Sequence, residues 1–176
     1  MTNEEIKQCI YEYGDDIYRF CCYLTNNKSI ADDLYQETFL KAIEIKDKIR
    51  VKDNTKNYLI SISLNLWKNH IKKNNRRKEI APLIYDEDCL STIPDSQIEI
   101  SETIITGEMC KLVRNAIERL PEKQRIVTLL YYSEELSIRE IGQMLHLPKG
   151  TVLSRLAKAR SVIKKEMEDA GYGKTI

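Results

Sequence analysis

The sequence predicts an all-α protein of two small helical domains joined by a flexible acidic linker, and three observations carry that expectation. Six glycines and four prolines in 176 residues are few, and no apolar/polar alternation of strand length occurs. Apolar residues recur instead at spacings of three and four in separate blocks, the mark of helices with one buried face. The charge is also segmented. Residues 1–45 hold four bases against nine acids, a net of −5, and residues 46–84 hold eleven bases against three acids, a net of +8. Residues 85–108 carry seven acids and no base, and residues 109–176 return to +5 with thirteen bases against eight acids. Two basic blocks flanking an acidic one suggest two polyanion-facing surfaces separated by a segment that is not one.

Composition excludes several classes. Cys9, Cys21, Cys22, Cys89 and Cys110 are odd in number and form no CxxC pair, so they are no disulfide framework. Free thiols, the lack of a signal-peptide core and the lack of any apolar run near 18 residues point to a cytoplasmic protein without membrane insertion. His70 and His146 are far apart, without metal-type spacing, so no metal site is expected.

The first helix is read over residues 4–26, from Ile6, Ile10, Tyr13, Ile17, Phe20 and Leu24. After Asn26-Asn27, Ser29 is expected to cap a second helix reaching about Asp47, with Asp32 and Asp33 near its positive end. Its stripe is Ala31, Leu34, Tyr35, Thr38, Ala42 and Ile45. Phe39, Leu40 and Ile43 lie off that stripe among Asp33, Gln36, Glu37 and Glu44, which fits either a protein partner or a second layer of core. "KDKIRVKDNT", residues 46–55, breaks the period and reads as a basic loop.

A third long helix follows from about Thr55, with Leu59, Ile62, Leu66 and His70 on one stripe and Ser61, Asn65, Lys68, Lys72 and Arg76 on the other. Lys73, Arg77 and Lys78 thicken the basic end. One or two cations suffice to complement a helix dipole, so six point to phosphate binding. Asn54, Asn57, Tyr58 and Trp67 nearby suit a separated strand with an unstacked base, although Tyr58 and Trp67 also fall at core spacing.

Residues 79–107 hold Pro82, Pro94 and "YDEDCLSTIPDSQIEISE" without a helical period, and read as an interdomain linker. At about 3.3 Å per extended residue, some ~25 residues reach on the order of 80 Å.

Beyond the linker, Leu112, Val113, Ala116, Ile117 and Leu120 mark one helix, and Pro121 suits the first turn of the next, with Ile126, Leu129 and Leu130 inward. "SIRE", Ser137 to Glu140, is a capping box opening a short helix that buries Ile141 and Leu145 and ends near His146. Leu147-Pro148-Lys149-Gly150 makes a turn, and Val152, Leu156, Ala159 and Ile163 bury the last helix. Thr151, Ser154, Arg155, Lys158, Ser161 and Lys165 stay outward. A short capped helix, a tight turn and a helix with a small and basic outer face is the helix-turn-helix design, whose second helix enters a major groove about 12 Å wide. Thr151 and the first-turn amides suit a backbone phosphate. No glycine-rich phosphate loop, nucleophile elbow or metal cluster appears, so the chain reads as a binder and not an enzyme, with no cofactor.

"ADDLYQETFLKA" (31–42) followed by "YLISISLNLWKNHIKK" (58–73) resembles region 2 of bacterial sigma factors, and "LPEKQRIVTLLYYSEELSIREIGQMLHLPKGTVLSRLAKAR" (120–160) resembles region 4. With only these two regions and a short linker, the chain is similar to the extracytoplasmic-function group over nearly its whole length. The resemblance implies a region 2 domain at 1–78, a linker at 79–107 and a region 4 domain at 108–176. It implies core RNA polymerase and promoter DNA as partners, with an anti-sigma factor holding the chain inactive. The coiled-coil clamp of core polymerase would be met by Asp32, Asp33, Gln36, Glu37 and Leu40. The minus-ten element would be met by Lys48, Arg50, Lys52 and Asn54 on the displaced strand and by Asn65, Lys68, Lys72 and Arg76 on the adjoining duplex. The minus-thirty-five element would fall to Lys149, Gly150, Thr151, Ser154, Arg155 and Lys158.

Two departures stand out. Leu153 replaces a residue that is often Lys or Arg in the family, with the small Ala157 beyond it, and Tyr58 replaces a common tryptophan. The rival reading is a helix-turn-helix regulator that binds operators without joining polymerase. A recombinase, the other rival, lacks any α/β catalytic domain or nucleophile cluster here.

Overall fold

The computed structural model describes residues 3–46, 55–80 and 104–172, and among them finds seven helices and no strand. The chain divides into two compact units, one up to Pro94 and one from Asp95.

Unit 1 is a three-helix bundle of α1 (Asn3–Thr25), α2 (Lys28–Glu44) and α3 (Thr55–Ile80), each packed on the other two. Helix α1 contributes Ile6, Cys9, Ile17, Phe20, Cys21 and Leu24 to the core, all buried. A side chain the size of Phe20, at 1% exposure, contributes about 2–3 kcal/mol through burial alone. Gly14 sits at a close approach: a Cβ there would lie 3.1 Å from the Tyr35 hydroxyl of α2, which would have to shift by a few tenths of an ångström. At the centre the Thr38 hydroxyl donates to Ser63 Oγ at 3.0 Å, and Ser63 donates to the Leu59 carbonyl at 3.1 Å.

The structure corrects the expected start of α2. The cap is Asn27, not Ser29: its extended backbone (φ −150, ψ 123) ends the α1–α2 turn, and its side chain accepts from the Ile30 amide at 3.1 Å. Ser29 therefore lies inside the first turn, and Asp32 and Asp33 lie beyond it. Phe39, expected off the core stripe, is buried at 6%, because α2 is covered by both α1 and α3. In α3 the core stripe is Leu59, Ile60, Ile62, Ser63, Leu64 and Trp67. His70, expected among them, is exposed and stacks on Trp67 with ring centroids 5.5 Å apart. The helix there has run past the partners that would cover it.

Unit 2 packs α4 (Ile104–Glu118), α5 (Glu122–Tyr132) and α6 (Ile138–Leu145) around α7 (Lys149–Asp169). Its core is Ala116, Leu120, Ile126, Val127, Leu129, Leu130, Leu136, Ile141, Val152, Leu156, Ala159 and Met167. Leu145 and Ile163, expected inside, are half-buried. Pro121 caps α5 from just outside its first turn. The helical segments enter the expected 79–107 linker at both ends, α3 to Ile80 and α4 from Ile104; residues 81–103 lie outside the described residues.

Candidate nucleic-acid interface

In unit 2 the presentation of α7 is fixed locally. Ser137 accepts from the Glu140 amide at 3.2 Å while Glu140 accepts from the Ser137 amide at 2.9 Å, so the expected capping box is present. The Ser137 side chain beside it, and then the Ser137 backbone amide that donates to it, hold the Glu140 carboxyl below the usual carboxylate range. Helix α6 stops at His146 in the left-handed region (φ 55, ψ 47), and the Leu147 amide returns to the Gly142 carbonyl at 2.9 Å. A Cβ on Gly142 would meet the Leu147 carbonyl oxygen at 2.9 Å, so the turn needs glycine at that position. Pro148, extended, then starts α7 without a side-chain cap.

The outer face of α7 meets the start of α5. Thr151, Ser154, Arg155 and Lys158 line one open groove of about 470 Å³ together with Pro121, Glu122, Lys123 and Gln124. The expected minus-thirty-five set is thus largely brought together. Lys149 and Gly150 stand exposed at the first turn of α7, outside this lining. The Thr151 amide is already engaged, donating to the Pro148 carbonyl at 2.9 Å, which leaves the Lys149 and Gly150 amides as the first-turn donors. Ser154 donates to the Thr151 carbonyl at 3.0 Å.

Lys123 and Gln124 were not expected in this groove. The signal for them was Pro121: it opens α5 without a side-chain cap, so the positive end of that helix faces the cations of α7. Not every base in unit 2 serves the groove. Burial lowers the Arg125 pKa from its ordinary value, and its Nη1 donates to the Glu118 carbonyl at 3.1 Å, tying α5 to the end of α4. Arg160 donates through Nε to the Tyr132 hydroxyl at 2.7 Å and lies 5.7 Å from the Tyr131 and Tyr132 ring centroids.

In unit 1 the stripe on α3 keeps its expected register, with Asn65, Lys72 and Arg76 exposed and Lys68 half-buried along one side. Lys48, Arg50, Lys52 and Asn54 lie outside the described residues. Tyr58 is 37% exposed and Trp67 8%, so of the two aromatics only Tyr58 is open at the surface.

On α2, Asp33, Gln36, Glu37 and Leu40 form one exposed ridge at spacings of three, one and three, with Leu40 61% exposed among acids and an amide. Asp32 is placed differently. It is half-buried and accepts from the Tyr18 hydroxyl at 2.8 Å, which fixes it against α1 and raises the Tyr18 phenol above its usual range. Ile43, 41% exposed, extends the apolar part of this face. Among the described residues no cluster of three or more His, Cys, Asp or Glu could hold a metal, and no helix is long and apolar enough to cross a membrane.

Two family models match the chain: Sigma-70 region 2 over residues 9–77 and Sigma-70 region 4 over residues 110–162. The chain is 30% identical over 169 residues to the ECF RNA polymerase sigma factor SigM of Bacillus subtilis, covering 93% of this chain and 94% of that protein. It is 29% identical over 160 residues to SigW of the same organism, covering 89% and 86%. In fold it is similar to the sigma factor RpoE of Bartonella quintana, solved in complex with the anti-sigma factor NepR, at a TM-score of 0.76 and 19% identity over 94% of this chain and 98% of that one. The region 2 match spans most of α1, all of α2 and most of α3, and the region 4 match spans the larger part of α4, all of α5 and α6 and most of α7, so each family half coincides with one unit and its basic face. The chain belongs to the extracytoplasmic-function sigma factors, proteins that carry no catalytic activity of their own and bind core RNA polymerase and promoter DNA to initiate transcription.

Proposed function

We propose that the two units divide promoter recognition between them. Unit 2 reads the minus-thirty-five element through Lys149, Gly150, Thr151, Ser154, Arg155 and Lys158, with Lys123 on the phosphates alongside. Unit 1 takes the minus-ten region through Asn65, Lys68, Lys72 and Arg76 on the duplex and Lys48, Arg50, Lys52 and Asn54 on the displaced strand. The same unit docks on the polymerase clamp through Asp33, Gln36, Glu37 and Leu40, with Asp32 supporting that ridge from beneath. Functional boundaries follow at 1–78, 79–107 and 108–176. The single observation that carries this reading is the basic groove where the start of α5 meets Thr151, Ser154, Arg155 and Lys158 of α7.

The protein acts in the cytoplasm, where its polymerase is, and is held inactive by an anti-sigma factor. Exposed Leu40 and Ile43 support a protein cover over α2, whether polymerase or inhibitor. Capture of core polymerase by the Asp33→Lys/Glu37→Lys double variant, with run-off transcription in parallel, tests the clamp assignment. Both readouts should fall sharply; undiminished capture and transcription would overturn it. Purification from the native cell without a stoichiometric partner would count against the inhibitor.

A further inference from the structure

Between Gly150 and Lys158 the outward residues of α7 fall on two ridges with opposite chemistry. Thr151, Arg155 and Lys158, at spacings of four and three, turn toward the start of α5 and line the basic groove. Gly150, Leu153 and Ala157, at spacings of three and four, form the second ridge, and none of their side chains carries a charge or a hydrogen-bonding group. Ser154 lies between the two.

Leu153 is 47% exposed and Ala157 is exposed, while the adjacent Val152 and Leu156 are 0% and 2% exposed. A Cβ built on Gly150 would meet nothing within 4 Å, so among the described residues the space beside Gly150 is open. The helix therefore presents an open apolar ridge beside a ridge of phosphate-binding cations.

A major groove offers one apolar feature on its base edges, the C5 methyl of thymine. A lysine or arginine at position 153 would seek guanine O6 and N7. Leucine cannot donate to them, and placed there it would strip those acceptors of water without replacing the lost hydrogen bonds.

We infer that Leu153, with Ala157 one turn further, reads thymine methyl groups in the upstream promoter element, selecting A·T pairs by contact and rejecting guanine by desolvation. This rests on the reading of α7 as the helix that enters the groove.

The test uses holoenzyme assembled from the full chain and core polymerase. Promoters are first selected from a randomised library, and each thymine of the upstream element is then replaced singly by deoxyuracil, which removes only the methyl. At one or two positions the replacement should weaken binding about fourfold, the equivalent of one buried methyl. The Leu153→Ala protein should be indifferent to one of them. Reselection with Leu153→Lys should bring guanine into that position.

An upstream element selected without A·T pairs would overturn the inference. So would tolerance of deoxyuracil at every position while Arg155→Ala still weakens binding, a result that keeps α7 in the groove but removes the methyl contact. If Arg155→Ala and Lys158→Ala both leave binding unchanged, α7 is not the groove helix, and the inference falls with that reading.

Discussion

The hydroxyls of Thr38 and Ser63 meet at 3.0 Å between α2 and α3, where both residues are 0% exposed. Each also has a carbonyl four residues back within reach, Leu34 at 2.7 Å and Leu59 at 3.1 Å, so either hydroxyl keeps an acceptor when the other is removed. Thr38→Val and Ser63→Ala should therefore each cost only about 1 kcal/mol, and the double variant less than the sum. Urea unfolding of the four proteins of the cycle measures the coupling; additive costs would remove the bond from the energetics of unit 1.

The capping box makes unit 2 sensitive to acid. Glu140 has a depressed pKa in the fold, so its contribution is fully present above the unfolded-state value and is lost as pH falls through the folded one. Wild type should exceed Glu140→Gln in stability at neutral pH, and the two should converge as the medium is acidified below the ordinary carboxylate value of 4.5. Ser137→Ala should cost about 1 kcal/mol at neutral pH. Denaturation midpoints at several pH values decide, and a gap between wild type and Glu140→Gln that does not narrow would refute the assignment.

Gly142 sits where a Cβ would press on the Leu147 carbonyl at 2.9 Å, and that backbone carbonyl cannot swing aside as a flexible side chain could. Gly142→Val should destabilise unit 2 by about 1–3 kcal/mol and weaken promoter binding, because the start of α7 shifts with the turn. Polymerase capture by unit 1 should survive. Equal loss of both activities would mean that the damage is not confined to the turn.

Exposed Lys72 and Arg76 continue the basic side of α3 past the bundle core. Replacing both with alanine should reduce the salt dependence of promoter binding by up to about two units of log–log slope, roughly one per lost phosphate contact. Binding measured across a range of salt concentrations gives the slope directly. An unchanged slope would take both residues off the DNA.

Features closed by near neighbours were the most legible in the sequence. The capping box needs only Ser137 and Glu140, three residues apart, and the ridges of α7 follow from helical spacing alone. The start of α2 was harder because Thr25, Asn26, Asn27 and Ser29 compete to form it. Thr25 Oγ1 donates to the Cys21 carbonyl and accepts from the Asn27 amide, and Asn26 takes φ 54, which leaves Asn27 as the cap. Phe39 was misplaced because a single stripe assumes a single neighbour. The Tyr18 ring of α1 and the Tyr35 and Phe39 rings of α2 run edge to face, at 5.6 and 5.1 Å, widening the covered arc of α2 toward α1. Lys123 and Gln124 join the groove through a contact between helices about thirty residues apart, which local periodicity cannot register.

Trp67 is the single tryptophan of the chain, and it is buried at 8% in unit 1 beside an imidazole. Its emission reports the melting of unit 1 alone, whereas helical circular dichroism sums both units. Comparing the two signals on one intact sample separates the stability of each unit without cutting the chain.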